Sequence, residues 1–188
     1  IPNAYAVTVD DENATNHAVS HLIETGKRNI AFIGLGIDDR EGLISPNFSK
    51  DRFIGYRRAL EDNGISFNPG LVKFGDYTYE SGAQSARELL EQEIPFDGVF
   101  CVTDNLAVAC INTFKEAGYR IPEDIAVCGF DNQEISEMTN PKLTTVDQPF
   151  YEIGYESMRM LESIIRGEIS TGRRVLIEHK LIKRGSTI

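Results

Sequence analysis

Short apolar runs recur along the chain, and each is followed first by polar residues and then by a segment with helical spacing. Tyr5–Val9 alternates enough to be a strand, and Asp10-Asp11-Glu12 then places acid where a helix N-terminus favours it. That helix carries Ala14, Ala18, Leu22 and Ile23 on one side and ends near Thr25, with Gly26 as its C-cap. Asn29–Gly34 reads as a buried strand, and the Gly- and Asp-containing stretch Leu35–Phe48 as a long loop. A helix with Phe53, Ile54, Tyr56, Ala59 and Leu60 follows over Ser49–Asn63, then a short strand over Leu71–Phe74. Thr78 is placed to cap the next helix, which carries Ala83, Ala86, Leu89 and Leu90.

The stretch Gly98–Ile111, GVFCVTDNLAVACI, is the clearest unit. Val99-Phe100-Cys101-Val102 has the β-branched and aromatic character of a strand buried on both faces. Asp104 is positioned to cap a helix that begins at Asn105 and stops before Gly118. Ile125–Phe130 repeats the pattern and ends on Asp131-Asn132. After a short polar helix near Glu134–Met138 come the strand Leu143–Val146, an amphipathic helix over Phe150–Arg166 and one closing strand over Arg174–Ile182. Strands alternating with helices of this length predict right-handed crossovers: an α/β fold with a parallel sheet and helices on both faces, a three-layer αβα arrangement.

In such a sheet the residues just past the strands share one edge, where open α/β sheets bind ligands. Those residues are Asp76 and Tyr77, Thr103 and Asp104, Asp131 and Asn132, Asp147 and Gln148, with Arg52 on the helix after the long loop. Carboxylates accept from hydroxyl groups, arginine donates in a planar fork, and an aromatic face packs on a sugar or a base. The set suits a polyhydroxylated small molecule. The aspartates can also be helix N-caps; for Asp104 the two roles stand level, while for Asp131 and Arg52 ligand contact is the favoured reading.

Composition narrows the classes. A net charge of −10 argues against this segment gripping nucleic acid by itself, because phosphate binding needs clustered cations. No apolar run is long enough for a membrane span, no secretory leader opens the chain, and no membrane partner is expected. Cys101, Cys110 and Cys128 form no CxxC pair and read as buried free thiols of a reducing compartment. His17 and His21 share a helix face, but nothing on that helix completes a metal set, so no metal is expected. Gly34-Leu35-Gly36 lacks the rest of a phosphate loop, and no GxSxG elbow is present. Neither a cofactor nor an enzymatic activity is expected.

Several of these stretches also resemble the lactose-repressor/galactose-repressor (LacI/GalR) family of bacterial transcription regulators. HLIETGKRNIAFIG (His21–Gly34) is similar to that family's HL-x-x-x-G-[HK]-x-x-I-x-x-I-x-G, and DRFIGYRRAL (Asp51–Leu60) to its R-x-x-G-[FYW] helix. Thr103–Asn132 resembles the run ending G-x-x-I-P-x-D-[IV]-x-[VI]-x-G-[FY]-D-[ND], and LTTVDQP (Leu143–Pro149) and the ending KRGSTI resemble family signatures too. The resemblance implies a periplasmic-binding-protein-like lobe, dimeric and cytoplasmic, that senses a small-molecule effector, a sugar or a nucleoside, for a DNA-binding regulator or repressor.

Position by position, it implies effector contacts at Arg52, Asp76, Tyr77, Thr103, Asp104, Asp131 and Gln148. It implies a homodimer face including Thr78, Ala83, Asn105, Val108, Ile111, Ile135 and Met138. It divides the chain into 1–10, a crossover remnant of a first lobe; 11–147, the second lobe; 148–172, the last helix of the first lobe; and 173–188, a closing strand and tail. The family's helix-turn-helix and most of its first lobe have no counterpart here, so operator DNA would be reached only through an absent N-terminal domain. The apolar face of Phe150–Arg166 is then expected to pack on another chain or on the lobe itself. A periplasmic sugar-binding protein of a transporter shares the fold. The GFDN and LTTVDQP stretches, the free cysteines and the Arg-Gly-Ser-Thr ending favour the regulator.

Overall fold

The structure is a computed structural model that describes residues 4–36 and 47–188. Most of the expected Leu35–Phe48 loop lies outside the described residues. A two-stranded parallel sheet joins β1 (Ala6–Thr8) to β7 (Arg174–Leu176). A six-stranded sheet runs in the order β3 (Val72–Gly75), β2 (Ile30–Leu35), β4 (Gly98–Cys101), β5 (Ala126–Asp131), β6 (Thr144–Asp147) and β8 (Lys180–Ile182). Its strands are parallel except for β8, an antiparallel edge on β6.

Every residue of β2, β4 and β5 is buried, as their unbroken apolar sequences require of strands covered on both sides. The covering helices are α1 (Asp11–Glu24) with α2 (Asn47–Asp62), and α3 (Tyr79–Glu91) with α4 (Asp104–Glu116), each pair packed together. The chain steps outward from β2 to β3, then returns past β2 to β4 and continues to β5 and β6. With right-handed crossovers this reversal puts α2 and α3 on opposite faces. It also makes a topological switch point between β2 and β4, where a crevice opens at the carboxyl ends of the strands.

Two expectations are corrected. The closing segment is two strands rather than one: β7 pairs with β1, the chain crosses at Ile177–His179, and β8 joins the large sheet. Thr103, not Asp104, caps α4: its hydroxyl accepts from the Leu106 amide, and Asp104 is the first helical residue. A threonine with extended backbone holds its hydroxyl over the first turn, which frees the Asp104 carboxylate to point elsewhere. The Asp10 and Thr78 side chains cap α1 and α3.

After the short helix α5 (Ile135–Met138), the amphipathic helix is α6 (Phe150–Ile165), and it lies against β1 of the small sheet rather than on the large one. Only Met160 on it is buried, while Tyr151, Tyr155, Met158, Leu161 and Ile165 are exposed. His17 meets His179 across the crossing segment (3.0 Å) instead of His21, whose ring bonds to Thr187 (2.9 Å). No group of metal-binding side chains forms among the described residues. The three cysteines are buried free thiols. Among the described residues no helix is long and apolar enough to cross a membrane.

Rings organise the core: Phe32 of β2 is ringed by Phe53, Tyr56, Phe74 and Phe100, and the Tyr56 hydroxyl donates to the Ile30 carbonyl (2.8 Å). The contact of α2 with α1 depends on Gly55, where a Cβ would collide with the Glu12 carbonyl and press on Thr15 (3.0 Å). Because that obstacle is backbone, Gly55→Ala is expected to force the helices apart and to lower stability by about 2 kcal/mol. The drop is measured as a shift in the urea unfolding midpoint.

Candidate functional site

A cavity of about 400 Å³ opens at the switch point, and the buried guanidinium of Arg52 forms part of its wall. Arg52 enters from the first turns of α2. Its Nε donates to Asp11 Oδ1 (2.8 Å), Nη1 donates to the Val102 carbonyl, and Nη1 lies 3.8 Å from Asp131 Oδ1. Its carbon centre sits 3.5 Å from the centroid of the Phe130 ring and 4.9 Å from that of Phe48. Neighbouring aromatic faces and buried carboxylates supply the attraction that bulk water would otherwise provide to the charge.

Asp131 ends β5 opposite Arg52 and accepts from Gln148 Nε2 (2.6 Å). The wall is completed by Tyr77 and Phe48, whose ring centroids are 6.3 Å apart, by Thr103 and Asn105 at the start of α4, by Gln133, by Thr8 at the end of β1, and by Phe150 at the start of α6. Charged groups in the described wall are Asp11, Asp131 and Arg52. Burial lifts the carboxyl groups of Asp11 and Asp131 above the usual range, opposed in each by Arg52.

Of the seven residues expected at an effector, Arg52, Tyr77, Thr103, Asp131 and Gln148 line this cavity. The other two do not. Asp76 is exposed, and its carboxylate accepts from the backbone and hydroxyl of Thr78, which hold its pKa below the ordinary value. Asp104 is wholly buried behind the wall, where it accepts from Thr145 Oγ1 (2.6 Å) and the Gln133 amide (2.7 Å). Burial raises its pKa to about 7 despite both hydrogen bonds.

The residues expected on a dimer face are divided in their exposure. Ala83, Val108 and Ile111 are buried within the single chain, where α3, α4 and the sheet pack together. Asn105 lines the cavity. Thr78 and Met138 are exposed and Ile135 is half-buried.

Sequence reasoning passed over Thr8, Asp11, Phe48, Gln133 and Phe150, all of which line the cavity. Thr8 and Asp11 flank the end of the first strand and carry the same positional signal as Thr103 and Asp131, masked there because the acidic run also marks a helix start. Gln133 lies two residues from Asp131, and Phe150 two from Gln148.

Residues 19–187 match the model of the periplasmic binding protein-like domain. The chain is 35% identical over 182 residues to catabolite control protein A of Priestia megaterium, covering 97% of this chain and 53% of that protein. It is 36% identical over 180 residues to the HTH-type transcriptional regulator CelR of Thermobifida fusca, covering 96% and 51%. Among solved structures it superposes on a CelR–cellobiose complex with a TM-score of 0.91 at 34% identity, covering 98% of this chain and 54% of that one. For the transcription regulator CcpA of Lactococcus lactis the TM-score is 0.87 at 30% identity, covering 100% and 65%. The chain belongs to the family of periplasmic binding protein-like domains, in the form carried by LacI-type transcriptional regulators. It spans about half the length of these curated relatives.

Asp104 gives stability a pH dependence of defined sign. Its folded pKa, about 7, is raised above the ordinary 3.8. Its contribution is therefore fully present below 3.8 and is lost as pH rises through about 7. Asp104→Asn carries no such loss. Between pH 4 and pH 8 the stability difference is expected to move in the variant's favour by up to about 4 kcal/mol, measured by urea unfolding at a series of pH values.

Proposed function

We propose that this chain is the effector-sensing lobe of a DNA-binding transcriptional regulator that answers to a sugar or a nucleoside. The observation that carries the reading is the cavity at the switch point. A fixed arginine lies between two carboxylates there, an amide stands beside one of them, and exposed aromatic rings flank them. Asp131 and Gln148 are spaced to take adjacent hydroxyl groups, one by accepting and the other by donating or accepting. Tyr77 and Phe150 offer faces to the apolar side of a sugar ring or to a base. Thr103 supplies a hydroxyl at the cavity floor. Asp76 and Asp104 shape the surrounding turns and do not touch the ligand.

In this reading the ligand favours one closure of the small sheet and α6 over the large sheet, and so biases a two-state equilibrium. No bond is made or broken, and no enzymatic step is assigned, consistent with relatives that are regulators. Operator contact belongs to a helix-turn-helix elsewhere in a longer protein. The working form is a homodimer in the cytoplasm, with Thr78, Ile135 and Met138 on the face between protomers. The neighbouring structure that holds cellobiose supports a saccharide as the first class to try. Relatives named as transcriptional regulators weigh against a transporter's solute-binding protein.

The test is a thermal-shift screen with D-glucose, D-ribose, cellobiose, adenosine and cytidine. At least one is expected to raise the melting temperature in a saturable way. Asp131→Ala is expected to lose that shift while its unliganded melting temperature stays within a few degrees of the parent. A flat response to the whole panel would overturn the assignment of this cavity.

A further inference from the structure

Asp131 reaches the cavity from backbone that aspartate rarely adopts. Its φ is +109°, and that of Asn132 is +54°. Two successive non-glycine residues on the left-handed side are held only where the surroundings over-determine them. The surroundings here can be named. The Gln133 amide donates to Asp104 Oδ2 (2.7 Å), and the Asn132 amide donates to Thr145 Oγ1 (3.3 Å). The Thr145 hydroxyl in turn donates to Asp104 Oδ1 (2.6 Å). On the other side, Asn132 is pinned by Asp147 (2.8 Å) and by Arg184 (2.9 Å). Asp104 thus receives one amide of the turn directly and the next through a hydroxyl. It does not cap its own helix, it does not line the cavity, and a Cβ on Gly129 would collide with its carboxylate.

We propose that Asp104 is a positioning residue for the effector site: it acts through the 131–133 turn to aim the Asp131 carboxylate and the Gln133 side chain into the cavity. The inference rests on the reading of Asp131 as an effector contact, and it assigns to Asp104 a task other than touching the ligand. The charged and titratable groups facing Asp104 are Asp131 and Cys128 from β5, Cys101 from β4, and Arg184 from the segment after β8. Arg184 is the cation of that set, and it also holds Asn132. An ionised Asp104 accepts from both of its partners. A protonated one keeps a single good acceptor oxygen, so one strand of the clamp on the turn is released.

The experiment is NMR on the uniformly ¹⁵N-labelled chain without ligand. In the parent, the Gln133 backbone amide is expected to shift along one titration curve between pH 5.5 and 8.5, as its acceptor changes protonation state. In Asp104→Asn that titration is expected to vanish. At pH 8 the Gln148 side-chain amide, which reports the aim of Asp131, is expected to move. Hydrogen exchange at Asn132 and Gln133 is expected to quicken by about tenfold or more while amides of β4 and α4 keep theirs. Thr145→Val is the second variant: it removes the relay, retains the carboxylate, and is expected to quicken exchange at Asn132 but not at Gln133. Exchange at Asn132 and Gln133 within about twofold of the parent in Asp104→Asn, with Gln148 unmoved, would overturn the proposal. Should Asp104→Asn not fold, an unchanged Asn132 in Thr145→Val overturns it instead. A flat ligand screen would remove the effector reading and leave these signals unaffected.

Discussion

Arg52 is the interaction on which the cavity depends. Its guanidinium is buried, and a lone buried cation is expensive. The cost is offset by Asp11 from one helix, the Val102 carbonyl from the end of a central strand, and the face of Phe130 from the next strand. Each partner belongs to a different element, so this side chain ties α1, α2, β4 and β5 together at the switch point. Removing Asp11, the carboxylate hydrogen-bonded to the guanidinium, leaves the charge short of compensation, which is the costly way to break such a pair. The cavity wall is therefore a by-product of stabilising a single side chain, and its geometry is preorganised before any ligand arrives.

Behind that wall lies a second layer with a different logic. Asp104, Thr145, Asp147 and Arg184 bring no atom to the cavity surface, yet they determine the backbone from which Asp131 emerges. Hydrogen bonds to a buried carboxylate are strong because little water competes for them. A strained turn held by several such bonds is stiff, and stiffness at a contact residue lowers the ordering cost of binding.

Much of the fold was legible in the residues themselves. The apolar runs of β2, β4 and β5 are buried throughout, the acidic run Asp10–Glu12 opens α1, and Thr78 caps α3 as its sequence promised. The closing segment was harder to read. VLIEHKLI contains no glycine or proline to mark the break at Ile177–His179, because that break is imposed by two sheets that local pattern cannot see. In the site, proximity to a strand end identified Tyr77, Thr103, Asp131 and Gln148, and a place near the start of the helix after the long loop identified Arg52, as neighbours of one cavity. It could not tell which carboxylate faces the opening and which turns back into the core. Asp104 and Asp131 both follow buried strands, and the difference between them lies in a threonine on another strand, Thr145, that becomes adjacent only after folding.

The chain passes between the small sheet and the large one three times, at Val9–Asp10, at Gln148–Pro149 and at Ile177–His179. A single linker would let two bodies swivel freely; three side-by-side linkers behave as a strap hinge, which bends easily about the line joining them and resists torsion. Two of the three carry or adjoin cavity residues, Thr8 and Asp11 in the first and Gln148 and Phe150 in the second. Bending at those straps therefore changes the opening of the crevice directly, with no intermediate element to absorb the motion. The third strap bears His179, which meets His17 of α1 on the large-sheet side.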